Sequence, residues 1–127
     1  MLPGGKTAHL VFKITLQPDE KSVCFFDKIY EHAELIWETT LIIWDEAPMM
    51  NWLAFEAVNC LLKDICDNAN AFGGKLVVLE GDFRKILPVV THGGRESIVA
   101  ATVHRASFWN DCRVMHLRIN MKLRTTK

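Results

Sequence analysis

Leu41-Ile42-Ile43-Trp44 is an uninterrupted apolar run that stops on two acids, Asp45 and Glu46. A run without polar alternation predicts a strand buried on both faces, as in a parallel sheet covered by helices. The pattern returns in Lys75-Leu76-Val77-Val78-Leu79, which ends on the turn Glu80-Gly81-Asp82. Between the two runs, Met50, Ala54, Ala57, Val58, Leu61 and Ile65 recur at helical spacing, with Glu56, Asn59, Lys63 and Asp67 gathered on the opposite side. That periodicity predicts an amphipathic helix packed on the sheet, stopped by the stretch from Asn68 to Gly74. Strand, helix and strand in this order constrain the chain to an α/β fold with a mainly parallel sheet. In such sheets ligands bind beyond the carboxyl ends of the strands, where both polar turns emerge.

The remaining segments are less strongly patterned. Val11 to Leu16 alternates enough to predict a short strand, and Gln17 to Glu34 reads as a loop with a short helix near Tyr30 to Trp37. Gly93-Gly94 breaks the chain, Glu96 to Val103 reads as helix, and Arg113 to Leu117 as a last strand. A length of 127 residues suits one domain able to bury a core.

Composition excludes several classes of function. The formal net charge is zero, so no global basic field announces a nucleic-acid partner, although a local groove can still be basic. Cys24, Cys60, Cys66 and Cys112 are scattered without zinc-type spacing, and read as reduced, mostly buried thiols. The five histidines form no ligand constellation either. No apolar run reaches the roughly 18 residues of a membrane span, and the first residues lack a signal-peptide core. The expectation is an intracellular protein with no membrane partner.

Four apolar residues followed by Asp45-Glu46 make a Walker B pattern. An Asp at that strand end can hold hydrated Mg²⁺, and a neighbouring Glu can orient or deprotonate an attacking water. The same pair also reads as acids at a strand end or helix start, with Pro48 near the beginning of the next helix. The second turn opens Gly81-Asp82-Phe83-Arg84-Lys85-Ile86-Leu87-Pro88-Val89, either a surface loop or the other half of a shared anion site. Gly5-Lys6-Thr7 spells the end of a phosphate-binding loop, but G-x-x-x-x-G-K-(S/T) would need its first glycine before residue 1 and a strand ahead of it. An independent small NTPase built on Gly5-Lys6-Thr7 fails on both counts.

Leu41 to Met49 (LIIWDEAPM), Gly73 to Val89 (GGKLVVLEGDFRKILPV) and Leu117 to Leu123 (LRINMKL), in this order, resemble the PIF (petite integration frequency) family of superfamily-one DNA helicases. The resemblance extends to its Helitron-type members, and the opening LPGGKTAHLVFKI fits as well. The resemblance implies a partial RecA-like P-loop NTPase domain. It also implies an ATP- and Mg²⁺-dependent motor moving 5′ to 3′ on single-stranded DNA and unwinding duplex junctions. The work of such a motor lies in DNA repair, recombination and telomere maintenance, in the nucleus or the mitochondrion. Asp45 then resembles the metal-coordinating acid, Glu46 the water-activating base, and Gly81 and Asp82 the start of the motif coupling the γ-phosphate to DNA. Lys85 and Lys122 fall at nucleotide-sensing positions. Lys6, Thr7, His9 and Phe12 match a DNA-facing motif downstream of the P-loop; for Phe12 the competing reading is core packing.

Three departures bear on activity. The resemblance places the P-loop and its strand N-terminal to residue 1, with that strand central between those of Asp45 and Gly81, and the second motor domain after residue 127. Such a gap implies marginal or absent folding of the fragment alone unless neighbouring strands close it, because unpaired buried backbone groups cost about 1–3 kcal/mol each. Lys85 stands where the family usually has Gln, and Lys122 where it has Arg; an ammonium lacks the planar fork of a guanidinium. The alternative to a motor is therefore a non-catalytic, transposon-derived remnant, at most a weak single-strand-binding fragment.

Overall fold

β1 (Leu41–Trp44) and β2 (Leu76–Leu79) pair in parallel, Leu41 opposite Leu76 and Trp44 opposite Leu79. The computed structural model describes residues 4–14, 31–82, 84, 88 and 90–124. Within them the helices are α1 (Ala8–Phe12), α2 (Glu31–Glu38), α3 (Trp52–Cys66) and α4 (Arg95–Ala100), with short 3-10 turns after β1, after α3 and after α4. The α/β class and the parallel sheet agree with the sequence reading. The gap expected between the two strands is not there: β1 and β2 hydrogen-bond directly, and among the described residues no rows of orphaned groups separate them.

α3 crosses from the end of β1 to the start of β2 and covers one sheet face. Asn51 starts it, its side-chain oxygen accepting the Leu53 N–H at 3.0 Å, and Asp67 ends it in the left-handed conformation. Trp44 is buried against α3, with Ile42, Val77 and Leu79 partly buried around the same core. On the other face Leu41, Ile43, Leu76 and Val78 are exposed. The apolar runs are therefore buried on one face only, because no described element covers the second.

The core is a relay of rings. Phe12 stacks on Trp44 with centroids 5.8 Å apart, Trp44 meets Phe55 at 4.6 Å, and Phe108 bridges Phe55 and Phe72 at 6.2 and 4.6 Å. Rings bury much apolar area and hold preferred mutual angles, so this relay ties α1, β1, α3 and the chain after α4 into one body. Asn59, placed by periodicity on the polar side of α3, is instead buried; its side-chain oxygen accepts the Phe72 N–H at 2.7 Å. Phe72 is left-handed, which turns its N–H toward the helix, and a buried donor needs an acceptor.

Two predicted strands differ. Val11 and Phe12 belong to the helix α1, where the Thr7 carbonyl accepts the N–H groups of Leu10 and Val11, and Lys13 ends it in the left-handed conformation; Thr15 and Leu16 lie outside the described residues. Residues 113–117 have no regular structure and are exposed. A strand is a property of a pair, and no described strand runs beside this segment. The helix near Tyr30 to Trp37 is present as α2, tied to β2 by Lys75, whose ammonium donates to the carbonyls of Trp37 and Thr39 at 2.7 and 2.6 Å.

The described cysteines are free, as expected, but not buried: Cys60 is exposed, and Cys66 and Cys112 are half-buried. Burial, and then the negative charge of Asp111, pushes the Cys112 thiol above its usual range. Since the thiolate is the nucleophile, iodoacetamide at pH 8 should label Cys60 well before Cys112 in the folded protein; peptide mass mapping over a time course checks the order.

Candidate functional site at the carboxyl edge of the sheet

Parallel pairing with Trp44 opposite Leu79 forces the turns after β1 and β2 out at the same end. The ladder runs one step further: the Glu80 N–H donates to the Trp44 carbonyl and the Ala47 N–H to the Glu80 carbonyl, each at 2.9 Å. Asp45, Glu46, Gly81 and Asp82 are thereby gathered on one edge, and all four are exposed. Glu46 is left-handed (φ 53°, ψ 38°), a conformation that costs a non-glycine residue about 1 kcal/mol or more. Asp82 accepts the Arg84 N–H at 3.0 Å, which shapes the second turn.

The acids do not cap α3. A 3-10 turn (Ala47–Met49) intervenes, and Asn51 is the cap. Pro48 opens that short turn, not the long helix, and is buried with Ala47. The carboxylates of Asp45 and Glu46 are thus left facing solvent at a strand end.

Among the described residues no group of three or more His, Cys, Asp or Glu side chains gathers as a metal cage. The exposed Asp45 still suits Mg²⁺, which takes one or two carboxylates, keeps several waters and is completed by substrate phosphates. No described helix is long and apolar enough to cross a membrane.

The other candidates separate. Lys6 and Thr7 are exposed just before α1, and His9 is half-buried within it. Phe12 is only 6% exposed and stacks on Trp44, so it is a core residue whose ring cannot offer a face to a base. It anchors α1 to the residue immediately before Asp45. Lys122 is exposed in the 3-10 turn Met121–Arg124, its N–H donating to the Asn120 side chain at 3.0 Å. Lys85 lies outside the described residues. The sequence reading missed Pro48 and the Glu80 backbone as parts of this edge; the only signal was a proline three residues after Asp45, read as a helix start.

A profile of the family described as PIF1-like helicase matches residues 1–127. Among solved structures, the chain is similar to Bacteroides Pif1 bound to single-stranded DNA, with a TM-score of 0.69 and 26% identity over 83% of this chain and 26% of that one. It is equally similar to Bacteroides Pif1 in complex with ADP-AlF4 (TM-score 0.69, 26% identity, 83% and 26% covered). A third similar chain comes from a study of DNA unwinding at forked double-stranded DNA by two coordinating Pif1 helicases (TM-score 0.69, 27% identity, 82% and 26% covered). The chain thus spans about a quarter of the length of these solved relatives. No curated protein matches it.

Proposed function

The chain belongs to the PIF1-like helicase family, and on that premise we propose that it carries the hydrolytic edge of an ATP-driven DNA helicase moving 5′ to 3′. The observation that supports this most is the convergence of Asp45-Glu46 and Gly81-Asp82 on one carboxyl edge of a parallel sheet. There Asp45 would hold Mg²⁺, which when bound would supply positive charge against the phosphates. Glu46 accepts a proton from the attacking water. The Gly81–Asp82 turn, with Lys85 and Lys122, senses the terminal phosphate, and Lys6, Thr7 and His9 lie toward the nucleic acid. The partners are single-stranded DNA, which Bacteroides Pif1 binds, and forked duplexes, at which two coordinating Pif1 helicases unwind DNA. Repair, recombination and telomere maintenance in the nucleus or mitochondrion are the corresponding roles.

A second reading applies to residues 1–127 taken alone. They contain no G-x-x-x-x-G-K-(S/T), so nothing among them cradles the β- and γ-phosphates. By themselves they act at most as a weak single-strand-binding unit with no ATP turnover.

The test is strand displacement by the full-length polypeptide on duplexes with a 5′ or a 3′ single-stranded tail, with ATP and Mg²⁺. Unwinding is expected from the 5′ tail only. Unwinding from the 3′ tail overturns the direction, and none from either, without DNA-stimulated ATP hydrolysis, favours the remnant.

A further inference from the structure

Glu46 is clamped from both sides. Its own carbonyl accepts the Met49 N–H at 3.1 Å, and the next N–H, that of Ala47, donates to the Glu80 carbonyl at 2.9 Å. These bonds hold it in the left-handed conformation. Beside these bonds the two turns also meet in an apolar contact. Gly81 lies so close to Pro48 that a Cβ there would stand 2.5 Å from the proline Cδ, 3.0 Å from its Cγ and 3.5 Å from the Glu46 Cα. Gly81 also has φ +147°, which side chains disfavour. The buried pyrrolidine ring therefore rests on the bare backbone of Gly81, two residues beyond Glu46, and its fixed φ stiffens the turn that carries it.

From this packing we infer that Pro48 is a positioning residue for Glu46, seated on Gly81, and that the Gly81–Asp82 turn moves Glu46 through this ring. The inference rests on the reading of Glu46 as the base. It adds the part that links the base to the neighbouring turn: the two loops cannot shift independently while Pro48 fills the space between them. A displacement of the second turn reaches the carboxylate as a change in its backbone.

The test compares Pro48→Ala, Gly81→Ala and Glu46→Gln in the full-length polypeptide, reading ATP hydrolysis with saturating single-stranded DNA. Pro48→Ala removes the ring, and Gly81→Ala drives a methyl into it. Each is expected to lower kcat about 10-fold or more, since small misplacements of a catalytic group cost up to roughly 100-fold. The KM for ATP of Pro48→Ala, and the Kd of both variants for Mg²⁺-ADP, are expected to stay within about twofold. A general loss of structure would change binding along with turnover, so the split between kcat and KM separates positioning from folding. Circular dichroism identifies a variant that fails to fold, and the other then decides, because the two attack one contact from opposite turns. Wild-type kcat in a folded Pro48→Ala or Gly81→Ala protein, with Glu46→Gln inactive, overturns the inference. Full activity of Glu46→Gln, or none in the wild type, instead overturns the reading of Glu46 itself.

Discussion

On the proposed reading of Glu46 as the base, Glu46→Gln is expected to lower DNA-stimulated ATP hydrolysis of the full-length polypeptide by about 100-fold or more, the range for losing a general base. Glutamine keeps the length of the side chain and can still hydrogen-bond to water, but it cannot take the proton. The backbone bonds to Met49 and Glu80 do not involve the side chain, so position is preserved and only the chemistry changes. Steady-state hydrolysis, with Mg²⁺-ADP affinity as control, checks it; affinity is expected to change less than about twofold. If the acids were merely structural, the same variant would hydrolyse ATP normally, because exposed substitutions away from caps and cores usually matter by less than about 0.5 kcal/mol. The cap of α3 belongs to Asn51, which removes the main structural role that Glu46 could have had.

The elements legible in the sequence are those whose signal is local. β1, α3 and β2 were readable because an apolar run, a helical period and a second run each declare themselves within a few residues, and their order implies parallel pairing. That pairing in turn made the edge with Asp45, Glu46, Gly81 and Asp82 legible before any coordinates. What failed depends on neighbours. Residues 113–117 have a strand's composition but no partner strand among the described residues. Val11 and Phe12 alternate with polar residues, yet local hydrogen bonds to Thr7 and the burial of Phe12 under Trp44 favour a helix. Asn59 looked solvated because its residue type is polar; only the left-handed Phe72 explains why an acceptor is needed inside. The direct pairing of β1 with β2 is not legible for a similar reason, since adjacency in a sheet is not written in either strand alone. Within the site, the contact between Pro48 and Gly81 joins residues 33 positions apart, and neither residue's type announces it.

Gly73 shows the same principle with the largest expected effect on stability. It follows Phe72 at φ +64°, and a Cβ there would stand 2.4 Å from the Leu62 carbonyl oxygen, 2.8 Å from its carbon and 2.9 Å from the Cys66 Cβ. The first two atoms are helix backbone, which cannot rotate away, and Leu62 itself is fully buried. Gly73→Ala therefore incurs the left-handed penalty of about 1 kcal/mol or more and forces the loop off α3, an overpacking cost of about 1–3 kcal/mol. It also strains the bond from the Phe72 N–H to Asn59. A total near 3 kcal/mol is a large share of the roughly 5–15 kcal/mol available to a domain. Gly74→Ala supplies the comparison. Its φ of +78° carries the same backbone penalty, but its Cβ meets only the side chain of Asn68, nearest at 2.7 Å. The difference between the two variants isolates the collision with α3. In chemical denaturation Gly73→Ala is expected to lose about 2 kcal/mol more than Gly74→Ala, since only the former presses on rigid backbone. Equal losses would mean that the loop yields freely at Gly73, and that Asn59 alone, not close backbone contact, holds it to the helix.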